Sequence, residues 1–349
     1  MRVTIRDVAE ASGVSIGTAS KGLHSKGRMR ADTRDRIQAA ARQLGFRANI
    51  DAGFPTSGRT LTVGLLTRDG YGRFTPPLLA GIEDSLTAET SSLLLCDARR
   101  DAVRERHYLD ALTARRVDGL IITGRATDTT PHAPRNLPFP VVYAYRTSDS
   151  PDDTSLTVDD AHGGYLAGRQ LLRQERRSLV HVTGPAHYLA VAQRIAGLRS
   201  ALAERGVDLP DERVVHVDFD ENAAYRLLPG LLERLPDVDG IFCGNDQLAR
   251  GAADVLTATG RRIPDDVAIV GFDNWSMMAA HTRPPLTSID MNMYHLGRAV
   301  GSTMLNAIGG QADPGVTRFP CSLAIRASCP AAPDGDPVWT SDAPMIRDA

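Results

Sequence analysis

From residue 61 to about residue 329, short apolar runs alternate with amphipathic stretches of helical length. The runs are LTVGLL (61–66), SLLLC (92–96), DGLIIT (118–123), PVVYAY (140–145), LVHV (179–182), VVHV (214–217), DGIFC (239–243) and VAIVGF (267–272). Residues 75–90, 101–116, 162–175 and 194–205 carry helical spacing between them. A strand that is apolar throughout is buried on both faces. A parallel sheet covered by crossover helices provides that burial. The segment is long for one such sheet, so the spacing predicts two sheets of roughly four to six strands each.

Residues 4–46 follow a different rule. Thr4-Ile-Arg-Asp7 fits a helix N-cap pattern in which the Thr hydroxyl accepts from an early helix N–H. Ile5, Val8 and Ala9 continue at helical spacing, and Gly13 breaks the helix. Ser15 caps a second helix with Ala19 and Leu23 facing inward. Ile37, Ala40, Ala41 and Leu44 mark a third, which Gly45 ends. The net charge of −2 conceals a division. Residues 1–60 hold 11 Lys+Arg against 5 Asp+Glu, and the remainder holds 29 against 37. Both lysines of the chain, Lys21 and Lys26, lie in this head. A basic head on an acidic body suits a polyanion partner.

The domain reading is therefore a helix-turn-helix head over residues 1–47, a hinge over 48–60, an α/β body of two subdomains over 61–329, and a disordered tail rich in Pro, Asp and Ala over 330–349. The tail carries no leucine heptad. No apolar run approaches the ~18 residues that span a bilayer, and the first residues form no apolar signal segment, so the expectation is a cytoplasmic protein with no membrane partner. Cys96, Cys243, Cys321 and Cys329 are scattered, which predicts reduced thiols, no metal site and no cofactor.

In a helix-turn-helix, the second helix presents its N-terminal residues to base edges in the major groove. Here those are Ile16 and Gly17, then Ser20 and Lys21 one turn on. Thr18, Ser20 and the helix start, with Thr4 and Ser15 at the two caps, suit phosphates. Lys21 suits a guanine or a phosphate. The plainer alternative is a small helical bundle with a basic face.

VTIRDVAEASGVSIGTASKGLHSKGRMRADTRDRIQAAARQLGFRAN resembles the head of the LacI/GalR (lac repressor) family, whose pattern it matches over nearly 50 residues. The resemblance places Ile16, Gly17 and Lys21 at the specificity positions and starts the hinge at Asn49. The hinge departs from the pattern: Gly53 and Pro55 stand where the family has arginine and leucine, and Ala48 stands where it has proline. Proline disfavours helix at Phe54. Phe54 is a candidate substitute wedge into the minor groove, or packs against the body or a dimer mate.

The resemblance continues through HGGYLAGRQLL (162–172), GNDQLARGAADVL (244–256), IPDDVAIVGFDN (263–274) and RPPLTSIDMN (283–292). It implies a sensor like the periplasmic sugar-binding proteins, holding an effector between its subdomains. It also implies a homodimer on a palindromic operator in double-stranded DNA, acting as a repressor under a small effector, with a sugar as the expected class. Arg194, Asn245 and Asp273 sit at the family's effector positions. From the residues alone, Asp69 and Phe74 follow the first strand, and Trp275 offers a stacking wall for a sugar ring. Each has a plainer reading: Asp69 as a turn residue, Phe74 and Trp275 as hinge-side core, and neighbouring Asp246 as a helix cap. Arg68, Arg73, Arg125 and Arg146 suit a phosphorylated effector or are solvated surface.

An enzyme is disfavoured, and no catalytic residues are assigned. GYGRF (70–74) lacks the third glycine of a dinucleotide fingerprint, no phosphate-binding P-loop occurs, and HGG (162–164) has no G-x-S-x-G partner. TRDGYG is a poor phosphate loop for a sugar kinase. The basic head argues against a transport binding protein.

Overall fold

A computed structural model of the chain describes residues 4–23, 29–44, 62–69, 72–87, 91–331 and 345–348. They belong to two units, residues 1–60 and 61–349.

The first unit has three helices: α1 (Ile5–Ser12), α2 (Ile16–Leu23) and α3 (Ala31–Leu44). Gly13 adopts φ 65°, and its N–H closes α1 onto the Ala9 and Glu10 carbonyls. The Ser15 hydroxyl accepts from the Thr18 N–H at 3.2 Å and starts α2. Val8, Ile37, Ala40 and Ala41 form the core, with Val14, Leu23 and Met29 against it. Gly22 lets α2 approach α3, since a Cβ there would stand 2.6 Å from Ile37 Cδ1.

In the second unit the chain runs β1 (Thr62–Thr67), α4 (Thr75–Thr87), β2 (Ser92–Asp97), α5 (Ala102–Ala114), β3 (Gly119–Thr123), β4 (Thr129–Thr130), β5 (Val141–Ala144), β6 (Thr147–Ser148) and β7 (Thr154–Val158). It continues through α6 (Asp160–Arg173), β8 (Leu179–Thr183), α7 (Leu189–Ala203), β9 (Val214–His216), α8 (Glu221–Arg234), β10 (Gly240–Cys243), α9 (Asp246–Ala258), β11 (Ala268–Phe272), α10 (Ser276–Ala279) and β12 (Thr287–Asp290). It ends with α11 (Met293–Ile308), β13 (Gly315–Phe319), β14 (Ser322–Ala324) and β15 (Ile346–Arg347).

Two sheets result, in the orders β15-β13-β7-β5-β3-β1-β2 and β14-β12-β11-β10-β8-β9, with β4 and β6 paired separately. Both are parallel except for β14 and β15, which pair antiparallel with β12 and β13. The chain passes between the two lobes after β7, after β12, after β13 and again between β14 and β15, so neither lobe is a continuous stretch of sequence.

All eight apolar runs form strands. The first sheet has seven strands, one beyond the expected range. β7 and β12 read as polar because Thr and Ser occupy them, yet both are largely buried. Most of their hydroxyls find partners far along the chain: in β7 Thr154 donates to the Asp313 carbonyl at 2.9 Å, and in β12 Thr287 donates to the Cys329 carbonyl at 2.8 Å and Ser288 to Asp246 at 2.6 Å, while the buried Thr157 hydroxyl has no partner among the described residues. α7 begins at Leu189, earlier than expected. The tail is not wholly without structure. Ile346–Arg347 covers the open edge of β13, and Asp348 accepts from Arg318 at 2.8 and 2.7 Å.

Candidate functional site

On the head, α2 turns Ala19 and Gly22 inward and leaves Ser15, Ile16, Gly17 and Lys21 exposed. Ile16 is 45% exposed, although the core lies one helix face away. An exposed isoleucine at the start of α2 and an exposed lysine in its last turn are suited to an outside partner, such as a thymine methyl and a phosphate. Thr18 and Ser20 are half-buried at the edge of this face. Thr4 forms the expected capping box with Asp7. Its hydroxyl donates to Asp7 Oδ2 at 2.8 Å, and its N–H donates to the same oxygen at 2.6 Å. The backbone bond holds the Asp7 carboxyl below the ordinary carboxylate range. Thr4 thus serves α1 first. Asn49 and Phe54 lie outside the described residues.

In the second unit, the loops that follow the C-terminal ends of both sheets enclose a cavity of about 400 Å³. Phe74, Arg194, Asn245 and Asp273 line it; Asp69 and Trp275 do not. Asp69 behaves as the turn residue. Its carboxylate accepts from the Thr75 hydroxyl at 3.3 Å and lies 3.5 Å from Arg125, and burial pushes its pKa up to about 6. Trp275 precedes α10 with its ring 5.5 Å from the Arg73 guanidinium.

Arg194 is held on every side. Its Nε and Nη2 bond Asp160 Oδ1 at 2.8 and 2.7 Å, and Nη1 donates to the Gly244 carbonyl at 2.6 Å. The guanidinium sits 3.5 Å over the Phe272 ring. Phe74 and Tyr145 form one wall, with ring centroids 5.1 Å apart.

Asn245, not Asp246, is the cap of α9: its Oδ1 accepts from the Leu248 N–H at 2.8 Å. Asp246 is fully buried and accepts from the Trp275 N–H at 2.7 Å and the Ser288 hydroxyl at 2.6 Å, fixing the loop after β11. That loop contains Asp273 at φ 102°, a conformation costly for a residue with a Cβ. Burial pushes the Asp273 carboxyl up, and Arg73 holds its charge at 2.6 Å.

Arg73 escaped the sequence reading as anything more than one scattered arginine. Its Nε donates to Asp273 at 2.9 Å and its Nη1 to Gln247 at 3.0 Å. It thereby ties the first lobe to the second. No local signal could pair it with residues 200 and 174 positions away.

Asp246 provides a pH test. Burial, then the neighbouring Asp273 charge, raises its pKa to about 8. The folded chain therefore keeps a proton that the unfolded chain releases near pH 4, so stability falls as pH rises from about 4 to about 8. Asp246→Asn should flatten this slope, read from urea midpoints at about pH 5 and about pH 8. A slope of equal size in the variant would assign the dependence to other groups.

Among the described residues no helix is long and apolar enough to cross a membrane, and no cluster of His, Cys, Asp or Glu could hold a metal ion. A basic three-helix head with an exposed second helix, joined to a two-lobed core around a cavity lined by aromatic and charged side chains, defines a DNA-binding regulator with a ligand-binding body.

Comparison with known proteins makes this specific. Residues 4–49 match the bacterial regulatory proteins of the lacI family, and residues 60–327 match the periplasmic binding proteins and sugar binding domain of the LacI family. The chain belongs to the LacI family of transcriptional regulators. It is 31% identical to the ribose operon repressor of Halalkalibacterium halodurans over 302 residues, 86% of this chain and 89% of that one. A solved complex of the regulator CelR with cellobiose superposes with a TM-score of 0.65 at 26% identity, covering 94% of this chain and 100% of that one. The lac repressor dimer bound to operator gives a TM-score of 0.76 at 23% identity, covering 95% and 100%, a likeness of fold.

Proposed function

We propose that this regulator is a cytoplasmic repressor that binds a palindromic operator as a homodimer, and that a sugar-class effector in the cleft sets its DNA affinity. The cleft binds its ligand rather than transforming it, since its buried Arg194 and Asp273 are tied in ion pairs to Asp160 and Arg73. The observation that carries the reading is Arg73, which crosses the cleft to Asp273 and Gln247. A ligand that engages Asn245, Gln247 or Asp273 must share or displace that bridge, and so binds open and closed arrangements differently. Such a difference is what coupling requires; about 1–3 kcal/mol changes operator affinity 5–150-fold. Relatives support the ligand class: the CelR structure holds cellobiose, and another LacI-family structure holds ribose. One exposed α2 reads one half-site, so a two-fold dimer suits a palindrome.

The test is selection of bound DNA from a random library with the full-length protein, repeated with a sugar mixture. A palindrome whose recovery changes with sugar supports the proposal. No enriched site under either condition would sink it. Lys21→Ala on the selected site should weaken binding and, for a phosphate contact, reduce the salt slope by about one. Undiminished affinity would remove α2 as the reading helix.

A further inference from the structure

The two sides of the cleft differ in charge. Along the first sheet, four neighbouring strands in the order β2-β1-β3-β5 are each followed by an arginine that lines the cavity: Arg100, Arg68, Arg125 and Arg146. On the second lobe, the start of α9 and the loop after β11 bring neutral amides and a paired carboxylate, Asn245, Gln247 and Asp273, beside Arg194, whose charge is paired by Asp160. Parallel sheets bind ligands at these strand ends, so both sets face one ligand.

The arginines are not equally satisfied. Arg68 is paired with Glu105, its Nε at 2.8 Å, and Arg125 stands 3.5 Å from Asp69. Asp128 also lines the cavity, with Oδ1 accepting from the Leu189 N–H at 2.9 Å. Arg100 and Arg146 have no ion pair among the described residues. Arg146 is only 9% exposed, and its buried Nε has no hydrogen-bond partner. It lies against Gly124, where a Cβ would stand 3.2 Å from Nη1. Burial, then the charge of Arg68, lowers its pKa to about 10. A buried guanidinium without an acceptor destabilises the fold that holds it. The natural acceptor in a ligand cleft is an anion, and planar guanidiniums match phosphate oxygens in pairs.

We propose that the effector is a phosphorylated sugar, its phosphate seated on Arg146 with Arg68, Arg100 and Arg125 around it, and its hydroxyls turned to Asn245, Gln247 and Asp273. This rests on the reading of the cleft as the effector site. Phe74 and Tyr145 supply the apolar face for the ring.

The experiment is calorimetric titration and thermal shift of the full-length protein at fixed ionic strength. The probes are ribose, glucose and cellobiose, the phosphate monoesters of ribose and glucose, gluconate, and inorganic phosphate. The expected result is that a phosphate monoester binds more tightly than its parent sugar. Arg146→Met should then weaken that ester by about 30-fold or more. It should leave the ligand-free protein as stable as the parent or more so, because a buried charge is removed. Should Arg146→Met fail to fold, Arg125→Ala, at a more exposed position, should still weaken the ester selectively. The proposal is overturned if a parent sugar binds as tightly as its phosphate, if gluconate binds better than any phosphate ester, or if neither arginine substitution alters the preference. A parent sugar that binds and changes DNA affinity would overturn the phosphate alone and leave the effector site standing. Failure of every probe to bind would remove both.

Discussion

Arg194→Met is expected to destabilise the body by about 3–5 kcal/mol and to abolish effector-dependent change in DNA binding. Methionine keeps much of the volume over Phe272 but leaves Asp160 fully buried, with only the Thr127 hydroxyl at 3.0 Å. The Gly244 carbonyl also loses its donor. Breaking one side of a buried pair costs more than the pair contributes, because the remaining charge cannot reach water. Removing both charges separates stability from signalling. Arg194→Met combined with Asp160→Asn should regain most of the urea midpoint while the effector response stays lost. A single variant with the parental midpoint would mean that Asp160 does not need this partner. A double variant that responds to effector would remove Arg194 from the binding set.

Gly197→Ala is expected to destabilise the body by at least about 2 kcal/mol, although alanine is the better helix former by about 1 kcal/mol. A Cβ on Gly197 would stand 1.8 Å from the Ala161 carbonyl oxygen, and one on the facing Gly164 would stand 2.1 Å from the Arg194 carbonyl. These are backbone atoms, so the only relief is for α6 and α7 to move apart. α6 carries Asp160 and α7 carries Arg194, so separation also loosens the ion pair that holds Arg194 at the cleft. The expected readout is a lower urea midpoint together with weaker effector binding. An unchanged or higher midpoint would show that the two helices are not held this close.

Strands such as Leu179–Thr183 and Ala268–Phe272 were visible because runs apolar on both faces have few other solutions. β7 and β12 are hidden because their Thr and Ser side chains are buried, and most of them bond partners far along the chain, such as Asp313 for Thr154 and Cys329 for Thr287. Phe74, Asn245 and Asp273 could be found as residues following apolar strands, where ligands of parallel sheets bind. Asp69 shares that position yet turns back onto Thr75, a matter of side-chain direction that no pattern records.

The residues of the head determine their own arrangement, because its caps, turn glycine and inward face are set by neighbours a few positions apart. They likewise determine that the body consists of buried parallel strands. Only the tertiary structure decides which arginine becomes the bridge at Arg73, which stays without an acceptor at Arg146, and which of two adjacent residues caps α9. Those roles depend on groups brought together by the crossings between lobes. A charge has no fixed role until its partner, its distance and its access to water are set.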